Sequence, residues 1–166
     1  MFSHPPILWL RSLGCLLLLL LLTHCTQRRV DVDQEIRDPA AGNASLIQVN
    51  PLVPAAVHDL LQEADALREA GDLAEAILTI QRGLSIVPGS SLVQQHLAEA
   101  YLADGQYQQA MYWSTLVVNQ GPDQGTLCER SRRTQALAAE LLQEVAIQAQ
   151  ALESIASCST QRPNRF

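Results

Sequence analysis

The sequence predicts an all-α fold: two helical hairpins stacked as a short solenoid, followed by one long helix that caps them. Three observations carry that reading. The apolar palette is Leu, Ile, Val and Ala with few aromatics, mixed with Gln, Glu and Arg, and most of these are good helix formers. Alternating β-branched runs, the mark of strands, are absent. Two segments repeat one another at a fixed offset, and the stretch 126–157 after them contains no Gly or Pro.

The N-terminus decides the compartment. Arg11 is the last charge before Arg28, and the stretch from Ser12 to Thr23 is uncharged and mostly Leu. A bilayer core needs about 20 residues of helix. A basic start, a short apolar stretch and then polar residues describe a secretory signal peptide rather than a span. Counting Ile7 to Leu10 lengthens the apolar stretch with only Arg11 interrupting, so a retained anchor is the alternative. Leu22-Thr23-His24-Cys25 resembles a bacterial lipobox, in which an aliphatic and a small residue precede a small residue and Cys. Leu22 and Thr23 fit; His24 departs from the pattern. The resemblance implies lipidation of Cys25, with several acyl chains each contributing about 0.8 kcal/mol per buried CH₂. It implies anchoring that faces the periplasm. Thr26, standing where Asp retains lipoproteins in the inner membrane, favours the outer one; inner-membrane anchoring or secretion remains open. An ordinary signal peptide cut near Thr23 to Thr26 is the other alternative. In a secreted eukaryotic protein Asn43-Ala44-Ser45 would also be a glycosylation sequon.

Residues 26–54 carry mixed charge and three prolines (Pro39, Pro51, Pro54), with no evident helical stripe. The expectation is a flexible tether.

The hairpins follow. Leu67 pairs with Tyr101, Gly71 with Gly105, Leu73 with Tyr107, Ala76 with Ala110 and Pro88 with Pro122, each at an offset of 34. Gly71 and Gly105 suit a helix stop where the chain reverses with positive φ. Ala64, Ala76, Ala98 and Ala110 let backbones approach closely, and Pro88 and Pro122 cannot continue a helix. Ser91-Leu-Val-Gln94 reads as a capping box. The helices are expected near 56–70, 73–87, 91–104 and 107–119. This pattern resembles the tetratricopeptide repeat, a helical hairpin with a period of about 34 residues, in two units, 57–90 and 91–124. Leu60 and Gln94 depart from the aromatic usual early in the unit, Glu63 from a usual Leu, and Ser114 and Val117 from a bulky and a small residue.

The stretch after the second unit does not repeat, since Ala139 stands in place of Gly and Glu144 in place of Ala. Residues 126–157 therefore read as one long helix, with Ala138, Leu141, Val145, Leu152 and Ile155 on one stripe, and 158–166 as a disordered tail. Cys128 and Cys158 would lie roughly 45 Å apart on a straight helix, against about 7 Å for a disulfide. The expectation is no intrachain bond, and instead antiparallel pairing of two copies with Cys128 beside Cys158.

Eleven Arg and no Lys exclude Schiff-base, phosphate-loop and general-base lysine chemistry. A net charge of −6 argues against nucleic acid. Beyond the signal only His58 and His96 remain among the His, placed alike but not identically, and they read as solvent-facing or groove-lining rather than metal ligands. Asp65 and Glu69, like Asp72 and Glu75, have the spacing of an ordinary solvated helix face. No Ser or Cys has His and acid at motif spacing, so neither catalysis nor a cofactor is expected. The tetratricopeptide resemblance implies a concave face lined by first-helix side chains: His58, Leu61, Asp65, Arg68, Glu69, Leu92, Gln95, Glu99 and Leu102. Asp65 and Glu99 take places that hold Lys and Asn in the subclass that clamps a peptide's terminal carboxylate, which argues against that activity. With nine acids against two Arg over 57–124, a basic or neutral protein or peptide partner is favoured. The expected function is a membrane-anchored periplasmic adaptor in envelope assembly or secretion. The alternative is a structural protein that self-associates into a homodimer through its C-terminal helix.

Overall fold

The computed structural model describes residues 30–42 and 51–159; the leucine run, Cys25 and the tail beyond Ser159 lie outside the described residues. Among the described residues there is no strand, and no helix is long and apolar enough to cross a membrane. A π-helical turn, Asp33–Arg37, runs into the short helix α1 (Asp38–Gly42). Six longer helices follow: α2 (Ala55–Ala70), α3 (Leu73–Ile86), α4 (Ser91–Ala103), α5 (Tyr107–Gln120), α6 (Thr126–Leu141) and α7 (Val145–Ser154). A 3₁₀ turn, Ile155–Cys158, follows α7.

Helices α2 to α5 form where the repeat spacing places them. Gly71 and Gly105 take φ of 88° and 76°, the left-handed conformation that lets each first helix stop and the chain reverse. In both turns the amide after Gly reaches back to the last helical turn, Asp72 N–H to the Leu67 carbonyl and Gln106 N–H to that of Tyr101, each at 2.9 Å. Ala76 and Ala110 are fully buried where the paired helices approach. The capping residue of α4 is Ser90, not Ser91: its hydroxyl accepts from Val93 N–H. Gln94, departing from the family pattern, donates its side-chain amide to the Pro88 carbonyl and so closes the preceding unit.

The stretch 126–157 is not one long helix. It breaks at Leu142–Glu144, and α7 folds back on α6 as a third hairpin. Gln143 holds φ 63° and does what Gly71 and Gly105 do before it. Glu144 N–H bonds the Ala139 carbonyl at 2.8 Å, the same return bond as in the first two turns. Gly105 to Gln143 is an offset of 38, about one helical turn more than 34, and this hid the third unit. A non-Gly residue in this conformation is strained by about 1 kcal/mol. Gln143→Gly is therefore expected to stabilise the fold by about that amount; an unchanged or lower denaturation midpoint would show that the turn is unstrained.

The fold-back joins Cys128 to Cys158 in a disulfide with Cα atoms 5.6 Å apart. Both cysteines are fully buried, and Gly125 N–H bonds the Cys158 carbonyl beside them. The expected absence of an intrachain bond is thus overturned, and the antiparallel disulfide-linked pairing of two copies loses its premise. The expected stripe divides too: Ala138 is buried, while Val145 and Leu152 are exposed.

The core has two parts. Val57, Leu61 and Ala64 of α2 pack with Ile77 and Ile80 of α3 and with Val93, Leu97 and Ala100 of α4. The second cluster joins Leu102, Ala110 and Ala138 to Val30, Val32 and Ile36. Residues 30–42 are therefore not a flexible tether. Val32, Ile36 and Ala40 recur every fourth residue, which makes one apolar stripe on a helical turn, and all three are buried. Asp31 starts the turn by accepting the Asp33 and Gln34 amides on its carboxylate.

Candidate partner-binding groove

The first helices of the three hairpins, α2, α4 and α6, present the surface on which residues 30–42 lie, and their side chains meet there around one guanidinium. Asp65 and Arg68 come from α2. Gln95, His96 and Glu99 come from α4. Arg130 and Thr134 come from α6, one turn apart. Asp65 and Glu99 are equivalent positions, related by the same offset of 34, so the solenoid repeat brings the two carboxylates side by side. Arg37 fits between them, its Nε donating to Glu99 Oε2 at 2.8 Å and its Nη2 to Asp65 Oδ1 at 2.7 Å. One turn earlier on the same segment, Asp33 accepts both terminal nitrogens of Arg68, at 2.9 and 3.0 Å.

Glu99 is fully buried. From the other side Arg130 donates to both of its oxygens, at 2.8 and 2.7 Å. Gln95 bridges Glu99 Oε1 to the Thr134 hydroxyl, 2.9 Å each way. Burial works against the charged carboxylate, but Arg130 and Arg37 together outweigh it and hold Glu99 well below the usual carboxylate range. Burial also opposes ionisation of Asp65, where hydrogen bonds from His96 and Arg37 prevail in the same direction. Burial pushes the His96 imidazole down despite the neighbouring Asp65; the guanidinium groups facing Asp65 are those of Arg37 at 2.7 Å and Arg68 at 3.9 Å. Arg37 itself loses hydration, yet the two carboxylates raise it above its ordinary value.

Of the residues expected to line the groove, Asp65, Arg68, Gln95 and Glu99 meet in this network. Leu102 lies buried beneath the segment. Leu61 belongs to the other core cluster and Leu92 packs half-buried against it, so neither offers a side chain to the groove floor. His58 is exposed near the start of α2. Glu69 is exposed on the rim and lines a cleft of about 460 Å³ between Val30–Asp33 and the end of α2. The groove is occupied by Asp33 and Arg37 of the chain's own N-terminal segment. Arg37, Arg130 and Thr134 were not anticipated: Arg37 sits in a stretch whose prolines and acids mask its stripe, and the two α6 residues follow a shifted repeat. His96 meets Asp65 and Arg37 in this network, whereas His58 is exposed, and among the described residues no three His, Cys, Asp or Glu come together to hold a metal ion.

Residues 67–126 match the family model of the tetratricopeptide repeat. No curated protein matches the chain.

Proposed function

We propose that this chain is a tetratricopeptide-repeat adaptor that holds a protein partner in the groove formed by α2, α4 and α6, tethered to a bacterial envelope membrane through lipidated Cys25 and facing the periplasm. The observation that carries the reading is the groove itself: it already holds a helical segment by paired charges and buried apolar side chains. That is the physics of helix-in-groove recognition. The Cys128–Cys158 disulfide supports export, because such bonds persist in oxidising compartments. The role proposed for it there is in assembling or secreting an envelope complex.

A photo-cross-linking side chain at Glu69, on the rim, is expected to give a discrete adduct in cells. The same group at Glu63, which faces Arg82 of α3 instead, should give none. Adducts at neither position, or equally at both, overturn the groove as the partner's site. In the same cells Cys25→Ser should leave an exported protein no longer retained by the membrane; a mature N-terminus beyond Cys25, or unchanged retention, overturns the lipid anchor.

A further inference from the structure

We infer that residues 30–42 are an internal stand-in for the partner, and that the partner presents a helical segment with a carboxylate one turn before an arginine, on an apolar stripe. This rests on the groove being the partner's site and states what that site reads.

The pairing is directional. Asp33 meets the Arg68 fork, and Arg37, four residues on, enters between Asp65 and Glu99. A segment laid in the opposite sense would set its carboxylate against Asp65 and Glu99 and its guanidinium against Arg68. Charge order thus fixes both register and direction, while Val32, Ile36 and Ala40 supply the buried contact. Net charge is not what is read: the segment carries four carboxylates and one Arg, and still docks on an acidic repeat.

The groove is also built to survive an exchange. Without Arg37, Glu99 keeps both Arg130 bonds and the Gln95 amide. Asp65 keeps His96 at 3.4 Å and Arg68 at 3.9 Å. No buried carboxylate is left bare, which is the condition that makes loss of one ion-pair partner so costly elsewhere. Arg68 would instead be released to receive an incoming carboxylate. The cleft beside Val30–Asp33 leaves room for a ligand that continues past the start of the internal segment.

The test uses a synthetic peptide of residues 30–42 and the full-length chain in detergent. Binding is compared between the wild type and Ile36→Asp, which puts a charge where the segment is buried. An internal competitor lowers apparent affinity by the fraction of open groove, so the peptide should bind Ile36→Asp at least about tenfold more tightly than the wild type. Peptides with Asp33→Ala or Arg37→Ala should each lose about tenfold or more, as for a hydrogen bond to a charged group. On the wild type, saturating peptide should raise hydrogen exchange in residues 30–42 of the chain. An Ile36→Asp chain that keeps its helical circular dichroism and binds no peptide overturns the inference, as do alanine peptides that bind equally well. Should Ile36→Asp fail to fold, the wild-type measurement decides, and exchange unchanged at saturating peptide overturns it. If light scattering shows a dimer that the peptide splits, the occupant is a second copy and the inference fails. A Glu69 adduct without peptide recognition would remove this pattern and leave the adaptor; peptide recognition without any adduct would do the reverse.

Discussion

Replacing Glu99 with Ala is expected to destabilise the fold by about 3–5 kcal/mol, the cost of breaking a buried ion pair from one side. The side chain is fully buried; its loss strands the Arg130 guanidinium and takes from Arg37 one of the two carboxylates it sits between, leaving it Asp65. The Gln95 amide loses its acceptor as well. Glu99→Gln keeps the shape and removes only the charge, so it should lie between Ala and wild type. Denaturant midpoints at constant slope measure this; a loss below about 1 kcal/mol for Glu99→Ala would show that the three charges do not act as one unit. The same carboxylate sets an acid limit. Its folded pKa is depressed, so its contribution is complete above the ordinary glutamate value of about 4.3 and fades as pH falls below it. Asp65 acts in the same direction. Wild-type stability should therefore drop on acidification below about pH 4, and Glu99→Gln should flatten that drop.

The features legible in the sequence were those where one residue type is almost obligatory. A left-handed helix stop favours Gly, so Gly71 and Gly105 announced two turns. A close helix crossing favours Ala, so Ala76 and Ala110 announced two buried contacts. Gln143 adopts the same left-handed turn without the residue that advertises it, and the extra helical turn before it moved it out of register. The disulfide was lost with it, because its exclusion rested on a straight helix. In the groove, Asp65 and Glu99 stood out because they take places that hold Lys and Asn in the carboxylate-clamping subclass. Their ligand did not: Val32, Ile36 and Ala40 are only three small or branched side chains among acids and a proline. Such a short helix is marginal alone; it is the surface beneath, Leu102, Ala110 and Ala138, that makes it fold.

Removing the disulfide should have the second large effect. Its cysteines are 30 residues apart, and opening a loop of that size frees about 3–4 kcal/mol of chain entropy in the unfolded state. Cys128→Ala with Cys158→Ala, or reductant on the wild type, should lower stability by that order. On non-reducing electrophoresis the wild type should run as a compact monomer. Free thiols in the native protein, or a midpoint indifferent to reductant, would contradict the closed third hairpin. The loss should also be felt in the groove. Arg130 follows Cys128 closely on the first turns of α6, and the Cys158 carbonyl holds the Gly125 amide just ahead of that helix. Opening the bond loosens the end of α6 from which Arg130 reaches Glu99. Hydrogen exchange at residues 30–42 should therefore rise on reduction even though the segment lies far from Cys158 in sequence. Protection there unchanged by reductant, with α7 exchanging faster, would mean that the disulfide secures the third hairpin alone and leaves the groove to its ion pairs.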